Sequence, residues 1–246
     1  FKPQGALGSK VNQKQELIKE KGIQIALLQD EKKAETLKNN LLANPAAVLK
    51  KLENQNNWDS MGVLQIASTN DNGYFVFKNL NIEKTYYALE VKTLDAYERD
   101  PNVHTVTVRE VNGAYQLYEE DEEFQLMNRE RGQLLVQKIV TLSGVSLPLD
   151  DVTFDIYKAK DQHADSRDLT TEGNAMHYVT GTYQSGNNGA FLTDWLTPGW
   201  YIVKEVAVPE GIEQPGTDKV WRIEVKEGEI NKELYDTPIE NIAHYG

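Results

Sequence analysis

Apolar and polar residues alternate with a period of two in many short segments of this chain, and glycine-containing or asparagine-containing turns separate them. Residues 103–109 and 114–118 alternate in this way on either side of Asn112-Gly113, and residues 220–225 do so near the C-terminus. Alternation places successive side chains on opposite faces of a strand, and an Asn-Gly pair between two such segments is typical of a tight hairpin. Many short strands at this spacing predict a mainly β protein built from β-sandwiches.

One segment has a helical period instead. Between about residues 31 and 53, leucine and valine recur at spacings of three and four among lysines and asparagines. Because Pro45 interrupts this pattern, we expect two short amphipathic helices or one kinked helix, inserted in the first of two domains. The apolar face would either pack over the edge of a sheet or bind a partner, and packing is the interpretation that we favour.

An internal repeat relates the two halves of the chain. Residues 72–80 (NGYFVFKNL) match residues 188–196 (NGAFLTDWL), and a strand that contains tyrosine and a glutamate follows each copy. The glutamates are Glu90 in the first half and Glu205 in the second. A repeat of this length indicates two domains of one kind.

The repeat continues to the end of each half. An alternating segment leads to Asn128 in the first copy and to Asn241 in the second. The short polar segment 129–132 lies between the copies and ends in glycine. We therefore predict an N-terminal domain of residues 1–131 and a C-terminal domain of residues 132–246.

Three polar residues of the second half share the parity of apolar neighbours in their strands. They are Lys138, Glu205 and Asn241. Side chains two positions apart on a strand point to the same face, so all three are expected to face the core. An isolated charge there would cost several kcal/mol unless it is paired or neutralised.

This arrangement predicts a covalent cross-link. Burial lowers the pKa of a lysine and raises that of a glutamate, so both groups approach neutrality. A neutral Lys138 amine can attack the Asn241 side chain, while Glu205 acts as general acid and base, bonds the amide oxygen and shuttles protons as ammonia leaves. The product is an isopeptide bond. The alternative is a buried ion pair beside an unrelated asparagine.

Several segments of the second half resemble the B-type domain of Gram-positive collagen adhesins (CnaB), which also builds many sortase-assembled pilins. They are the strand that reaches Lys138, residues 152–157, the Asn188-Gly189 turn, the segment Tyr201-x-Val-x-Glu205-x-x-x-Pro209-x-Gly211, and Ile239-x-Asn241. The resemblance covers the C-terminal domain.

The resemblance implies two tandem Ig-like (CnaB-type) β-sandwich domains, the first with a helical insertion. It also implies that a lysine of the first strand and an asparagine of the last strand join spontaneously, with a glutamate as the catalyst. These positions correspond to Lys138, Asn241 and Glu205 here.

The first domain resembles the family less closely. Glu90 and Asn128 are well placed, but no Pro-x-Gly follows the glutamate. Lys10 is the candidate for the cross-link to Asn128, although the residues before it alternate poorly. Lys2 and Lys14 remain competitors for this role.

Composition narrows the function classes. The 246 residues carry a formal net charge of −12 and include no cysteine, so disulfides and thiolate metal sites are excluded. Nucleic acid and anionic membrane surfaces should be repelled. The acidic run at residues 119–123 lacks calcium-loop spacing and is expected to be a solvated edge or loop. We predict no metal and no cofactor.

A turnover enzyme is not supported by the sequence. The four histidines are scattered, and no zinc motif, nucleophile elbow or phosphate-binding glycine loop is present. A carbohydrate-binding module is the stronger alternative, because Trp195, Trp200 and Trp221 could stack on sugars.

We therefore expect a structural cell-surface protein, either a minor (basal or accessory) pilin or an adhesin stalk, that supports bacterial adhesion. No Tyr-Pro-Lys motif of a shaft pilin occurs, the chain begins at Phe1, and no sortase signal or signal peptide is recognisable. The expected partners are other pilin subunits or the cell wall, joined through sortase by an anchor segment absent from this sequence, and a host matrix or glycan ligand. Nucleic-acid binding and membrane insertion are not expected.

Overall fold

The computed structural model describes residues 5–163, 175–214, 216 and 219–243. The chain divides into two compact units, Phe1–Glu130 and Arg131–Gly246, which are described separately below. Within the described residues, no helix has the length and apolar character needed to cross a membrane.

The described part of the first unit contains nine strands and three short α-helices. Its strands are β1 (Ala6–Val11), β2 (Gln24–Leu28), β3 (Val63–Ser68), β4 (Tyr74–Phe77), β5 (Tyr86–Lys92), β6 (His104–Val111), β7 (Ala114–Glu119), β8 (Glu122–Glu123) and β9 (Gln125–Met127). Its helices are α1 (Glu31–Ala43), α2 (Pro45–Leu52) and α3 (Trp58–Met61), with a 3-10 turn at Gln55–Asn57.

The strands of the first unit form two layers that share strand β6. The order is β3-β2-β5-β6-β7-β1-β4, while β8 pairs with β7 and β9 with β1. Strand β6 pairs with β5 near its start and with β7 farther on, which joins the layers. Aromatic and aliphatic side chains from both layers, including Phe75, Phe77 and Ile25, fill the space between them. The predicted β-sandwich is confirmed.

The hairpin predicted around Asn112-Gly113 is present. Val111 pairs with Ala114, which leaves two residues in the turn. Asn112 has φ 53° and Gly113 has φ 80°, and this left-handed pair matches the twist of the flanking strands.

The alternation of strand β1 is not apparent in the sequence, because small residues and a lysine occupy its inward positions. Ala6, Gly8 and Lys10 are buried, whereas Leu7 and Ser9 are partly exposed. A Cβ at Gly8 would lie 2.4 Å from the ring of Phe75, so the glycine makes room for this aromatic side chain. The segment that looked like a poor strand therefore has a regular inward face.

The helical insertion is confirmed, and it consists of two helices that meet at Pro45. Asp30 caps α1 by accepting a hydrogen bond from the backbone N–H of Lys33, and Asn44 caps α2 by accepting one from Ala47. Pro45 stands at the start of α2, where a missing N–H has no cost.

The helices cover the outer face of the layer that contains β2 and β5, and they do not lie at the edge of that layer. Leu37 and Leu41 of α1 are buried in one apolar cluster with Leu28 of β2 and Leu89 of β5. Both faces of these two strands are therefore buried, and the expectation of packing over a sheet edge was wrong.

The second unit has the same two-layer plan. Its strands are β10 (Gln133–Leu142), β11 (Val145–Pro148), β12 (Thr153–Ala159), β13 (Ala175–Gln184), β14 (Ala190–Leu192), β15 (Gly199–Ala207), β16 (Trp221–Val225), β17 (Ile230–Asn231) and β18 (Ile239–Ile242), and its single described helix is α4 (Glu233–Asp236). One layer has the order β11-β10-β14, with β17 and β18 also paired to β10, and the other has the order β13-β12-β15-β16.

Strand β10 organises the second unit. It pairs with β11 and β14 in antiparallel fashion and with β17 and β18 in parallel fashion. The strand continues past Lys138 to Leu142, so this lysine lies in its middle rather than at its end. Leu134, Val136 and Phe154 belong to the apolar core between the two layers.

Adjacent leucines of α1 provide a test of the packing of the insertion. Leu41 is 1% exposed and Leu42 is 59% exposed. We expect Leu41→Ala to lower the free energy of unfolding of the first unit by about 2–5 kcal/mol through the cavity that it leaves. Leu42→Ala should change it by less than about 0.5 kcal/mol. Amide hydrogen exchange in β2 and β5 measures both, and equal effects of the two substitutions would show that the helices do not pack as described.

Candidate cross-link sites

Lys138, Glu205 and Asn241 meet inside the second unit. Strand β10 carries the lysine, its parallel neighbour β18 carries the asparagine, and β15 of the facing layer carries the glutamate. Their exposed fractions are 0%, 4% and 5%, respectively. All three lie on the inward face, as their parity predicted.

The three side chains form a closed set of contacts. Lys138 Nζ donates a hydrogen bond to Asn241 Oδ1 at 2.5 Å and lies 3.2 Å from Glu205 Oε1. Asn241 Nδ2 donates to both carboxylate oxygens, at 3.2 Å and 3.1 Å. The carboxylate thus contacts both the lysine amine and the amide nitrogen.

The strand register explains why lysine and asparagine meet. Lys138 pairs with Ile239 in the parallel ladder between β10 and β18, and Asn241 lies two residues farther along. Residues two apart on a strand share a face, so Asn241 points to the same side as Ile239, which is buried.

The first unit brings Lys10, Glu90 and Asn128 together in the same way, and each is 0% exposed. Lys10 Nζ lies 3.2 Å from Glu90 Oε1 and donates a hydrogen bond to the backbone oxygen of Leu126 at 3.0 Å. Asn128 Nδ2 donates to Glu90 Oε2 at 2.7 Å. Here too, one carboxylate contacts the amine and the amide nitrogen.

The register around this set matches that of the second unit. Lys10 pairs with Leu126 in the parallel ladder between β1 and β9, and Asn128 again follows the paired residue by two positions. Of the competing lysines, Lys14 is exposed and Lys2 lies outside the described residues. Among the described lysines of the first unit, Lys10 is therefore the one in contact with Glu90.

Burial perturbs the ionisation of these groups. Desolvation lowers the pKa of Lys10, although Glu90 opposes the shift. It also raises the pKa of Glu90 against the effects of Lys10 and Asn128. The pKa of Lys138 is lowered by burial and partly restored by Glu205. Each lysine therefore loses its proton more readily than a lysine in water.

The contacts differ in one respect from the chemistry expected from the sequence. The glutamate was expected to bond the amide oxygen of the asparagine, but in both units it accepts from Nδ2, the nitrogen that would leave as ammonia. Among the described residues, Asn128 Oδ1 is buried without a hydrogen-bond partner, and Glu90 Oε1 contacts the lysine without hydrogen-bond geometry. An unsatisfied buried amide oxygen is costly.

A loop after β5 supplies contacts to the first site that the sequence did not reveal. The backbone N–H of Asp100 donates to Glu90 Oε2 at 2.7 Å, and Arg99 Nη1 donates to the backbone oxygen of Glu90 at 2.9 Å. Asn128 Nδ2 also donates to the backbone oxygen of Glu98. The contacts of Asp100 and Glu98 use backbone atoms of the loop, so the residue types at these two positions could not have signalled them.

The other candidates of the sequence occupy less distinctive positions. Trp200 and Trp221 are partly buried against apolar clusters, and Trp195 is 40% exposed. The acidic run forms the end of β7, an exposed turn and β8. No group of three or more potential metal ligands converges within the part of the chain that the structure describes.

Comparison with known families assigns the fold. The family model of the SpaA prealbumin-like fold domain matches residues 10–123 and, a second time, residues 132–238. The chain belongs to this family. The two matches correspond to the two units, although each ends before the asparagine of its site. No curated protein matches the chain significantly.

Several solved pilins are similar to this SpaA-family chain at low identity. GBS52, the minor pilin of Streptococcus agalactiae, is 16% identical, with 99% of this chain and 97% of that chain covered and a TM-score of 0.39. The shaft pilin SpaA of Lactobacillus rhamnosus GG is 13% identical, with 99% of each chain covered and a TM-score of 0.45. A streptococcal ancillary pilin is 16% identical, with 99% and 63% covered and a TM-score of 0.36.

The buried ion pair of the second unit can be tested apart from any cross-link. In an Asn241→Ala background, which cannot form the bond, Lys138→Met leaves Glu205 buried without its cation. We expect a loss of about 3–5 kcal/mol in the free energy of unfolding, measured by calorimetry. The double substitution Lys138→Met/Glu205→Leu should recover most of this loss, whereas the exposed control Lys226→Met should cost less than about 0.5 kcal/mol. A single substitution without cost would contradict the burial of the pair.

Proposed function

We propose that this chain is a structural subunit of the bacterial cell surface, a minor (basal or accessory) pilin or an adhesin stalk. Each of its two domains would be locked by an intramolecular isopeptide bond, Lys10 to Asn128 and Lys138 to Asn241. The observation that carries the proposal is the recurrence of one buried Lys-Glu-Asn set at the same register in both units. A buried pair with no chemical role would not need an asparagine at the same offset twice.

The contacts support a balanced reaction path. A lysine that has lost a proton attacks Cγ of the asparagine, and a new C–N bond forms. The glutamate accepts the proton that the attacking nitrogen sheds and delivers a proton to Nδ2. The bond between Cγ and Nδ2 then breaks and ammonia leaves, so lysine and amide become isopeptide plus ammonia with no outside reactant. Each carboxylate contacts both nitrogens that exchange protons.

This chemistry does not make the chain an enzyme. Glu90 and Glu205 would each act once, because the amine and the amide are consumed. The apolar cores around both sites exclude water and keep the lysine pKa low, which favours attack by the amine. The role is a maturation step of a structural protein.

The proposed task is mechanical. The chain would extend or hold an adhesive structure, with other pilin subunits or the cell wall as partners through sortase and with a host matrix or glycan as the final ligand. The absence of a Tyr-Pro-Lys motif from this sequence favours a minor subunit over a shaft subunit. A bond between the first and last strands would prevent tension on the termini from separating them.

Intact mass tests the bonds directly. We expect the wild-type chain to be lighter than its calculated mass by two molecules of ammonia. Glu90→Ala and Glu205→Ala should each restore one of them, because each removes one proton carrier. Peptide mapping should recover Lys10 joined to Asn128, and Lys14→Ala should retain both losses. The full calculated mass in the wild type would refute the cross-link proposal.

Mechanical unfolding tests the consequence of the bonds. When single molecules are pulled by their termini, the segments between Lys10 and Asn128 and between Lys138 and Asn241 should add no length in the wild type. Glu90→Ala should release the first segment in one step, and the double substitution Glu90→Ala/Glu205→Ala should release both. Release of either full segment from the wild type would contradict the mechanical role.

A further inference from the structure

His104 lies between two carboxylates at the start of β6. Its Nε2 is 2.6 Å from Asp100 Oδ2, and its Nδ1 is 2.6 Å from Glu119 Oε2. The histidine side chain is only 18% exposed, and its ring centroid lies 5.4 Å from that of Phe124. The imidazole thus connects the loop before β6 to the end of β7.

Both contacts are hydrogen bonds only when the imidazole carries two protons. A neutral ring has one N–H, so one carboxylate would face a nitrogen lone pair. Burial alone would lower the pKa of His104, but the bonds and charges of Asp100 and Glu119 outweigh it and raise the pKa. Two carboxylates face the ring, and the exposed acidic turn continues from Glu119. The cations Lys10 and Arg99 also interact with Asp100, and the pKa of His104 is raised with both of them present.

The loop that His104 contacts through Asp100 also contacts the side chains of the first cross-link site. Asp100 accepts from the imidazolium with its side chain and donates its backbone N–H to Glu90 Oε2. Two residues earlier, the Glu98 backbone oxygen accepts from Asn128 Nδ2. One short segment therefore contacts both the proposed proton carrier and the proposed leaving group.

We propose that His104 is a positioning residue for cross-linking in the first domain. Its imidazolium fastens residues 98–100 to β7 and so fixes Glu90 and Asn128 in the reactive arrangement. This inference rests on the proposed function, because it concerns the rate of the bond between Lys10 and Asn128.

The second domain offers an internal reference. In its described part, the Glu205 carboxylate is contacted by Lys138 and Asn241 and by no backbone N–H. Its bond should therefore form without help from a histidine. The ratio of the two bond-forming rates in one chain then reports on the first site alone, since folding conditions and chain concentration are shared.

The pH dependence has a definite sign. The pKa of His104 is higher in the folded chain than in the unfolded chain. The hydrogen bonds from its imidazolium to Asp100 and Glu119 are therefore complete below the ordinary histidine pKa, and they are lost as pH rises through the pKa of the folded chain. The first bond should therefore slow relative to the second as pH rises through that range. Deprotonation of Lys10 acts on the same rate, so the comparison is made between chains that differ only at position 104.

The experiment follows ammonia loss by mass during refolding. The full-length chain is recovered unfolded from inclusion bodies in denaturant, and its full calculated mass there shows that neither bond has formed. It is then diluted into buffers from about pH 5 to pH 9, quenched at intervals and digested so that each bond is counted separately. The variants are His104→Gln, which is neutral throughout, and His104→Arg, which keeps a positive fork for two carboxylates. His163→Gln, at an exposed histidine, is the matched control.

We expect His104→Gln to slow the first bond by about tenfold at low pH and leave the second unchanged, because the reactive groups lose their alignment. His104→Arg should keep the first bond fast at every pH, and His163→Gln should match the wild type. The wild-type ratio of rates should decline with pH relative to the ratio in His104→Arg.

Two results would overturn the inference in different ways. One result is that the wild type forms both bonds and that the ratio of the two bond-forming rates follows the same pH course in His104→Arg as in His104→Gln. In that case His104 has no positioning role, whatever it does for stability. If the wild type never forms the first bond, the proposed function fails for that domain and the inference fails with it. The wild-type and arginine profiles keep the test decisive even where the glutamine variant folds poorly.

Discussion

The structure depends on one constraint, the placement of a lysine, a glutamate and an asparagine in the apolar interior of each sandwich. Charges buried at this depth are tolerated only when they are paired, and in both units the lysine and the glutamate contact each other. The partners come from separate parts of each unit, since the first and last strands supply the amine and the amide and the facing layer supplies the carboxylate. The layers must therefore adopt one register before the polar groups are satisfied.

Sequence reasoning identified the second site because its strands have large inward neighbours. Leu134 and Val136 mark the inward parity before Lys138, so the lysine stands out as a polar residue on an apolar face. The first site was harder to predict because Ala6 and Gly8 occupy the inward positions before Lys10, and the glycine makes room for the Phe75 ring on the neighbouring strand. Period-two patterns reveal a buried face only when bulky residues mark it.

The helices illustrate a second limit of local patterns. Their spacing and the break at Pro45 were predictable, but the surface that they cover was not. The signal was in the strands, because residues 25–28 of β2 and 88–91 of β5 are buried without alternation. Runs that are buried at every position are typical of strands covered on both faces, although the run in β5 includes the polar Glu90. The loop at residues 98–100 left no comparable signal in the sequence. It contacts the Glu90 carboxylate through a backbone N–H, and its own contact with His104 exists only in the folded chain.

Parallel pairing of the first and last strands determines how tension on the termini would act on each unit. In each unit, the chain enters along one strand and leaves along its parallel neighbour, so the two free ends depart from opposite ends of the pair. Tension on the termini then acts along the strands and loads the hydrogen bonds of the short ladder together. Such ladders span three or four residue pairs here, and their bonds exchange readily with water once strained. A covalent bond between lysine and asparagine within the same ladder would carry that load directly, and the rest of each sandwich would lie outside its path.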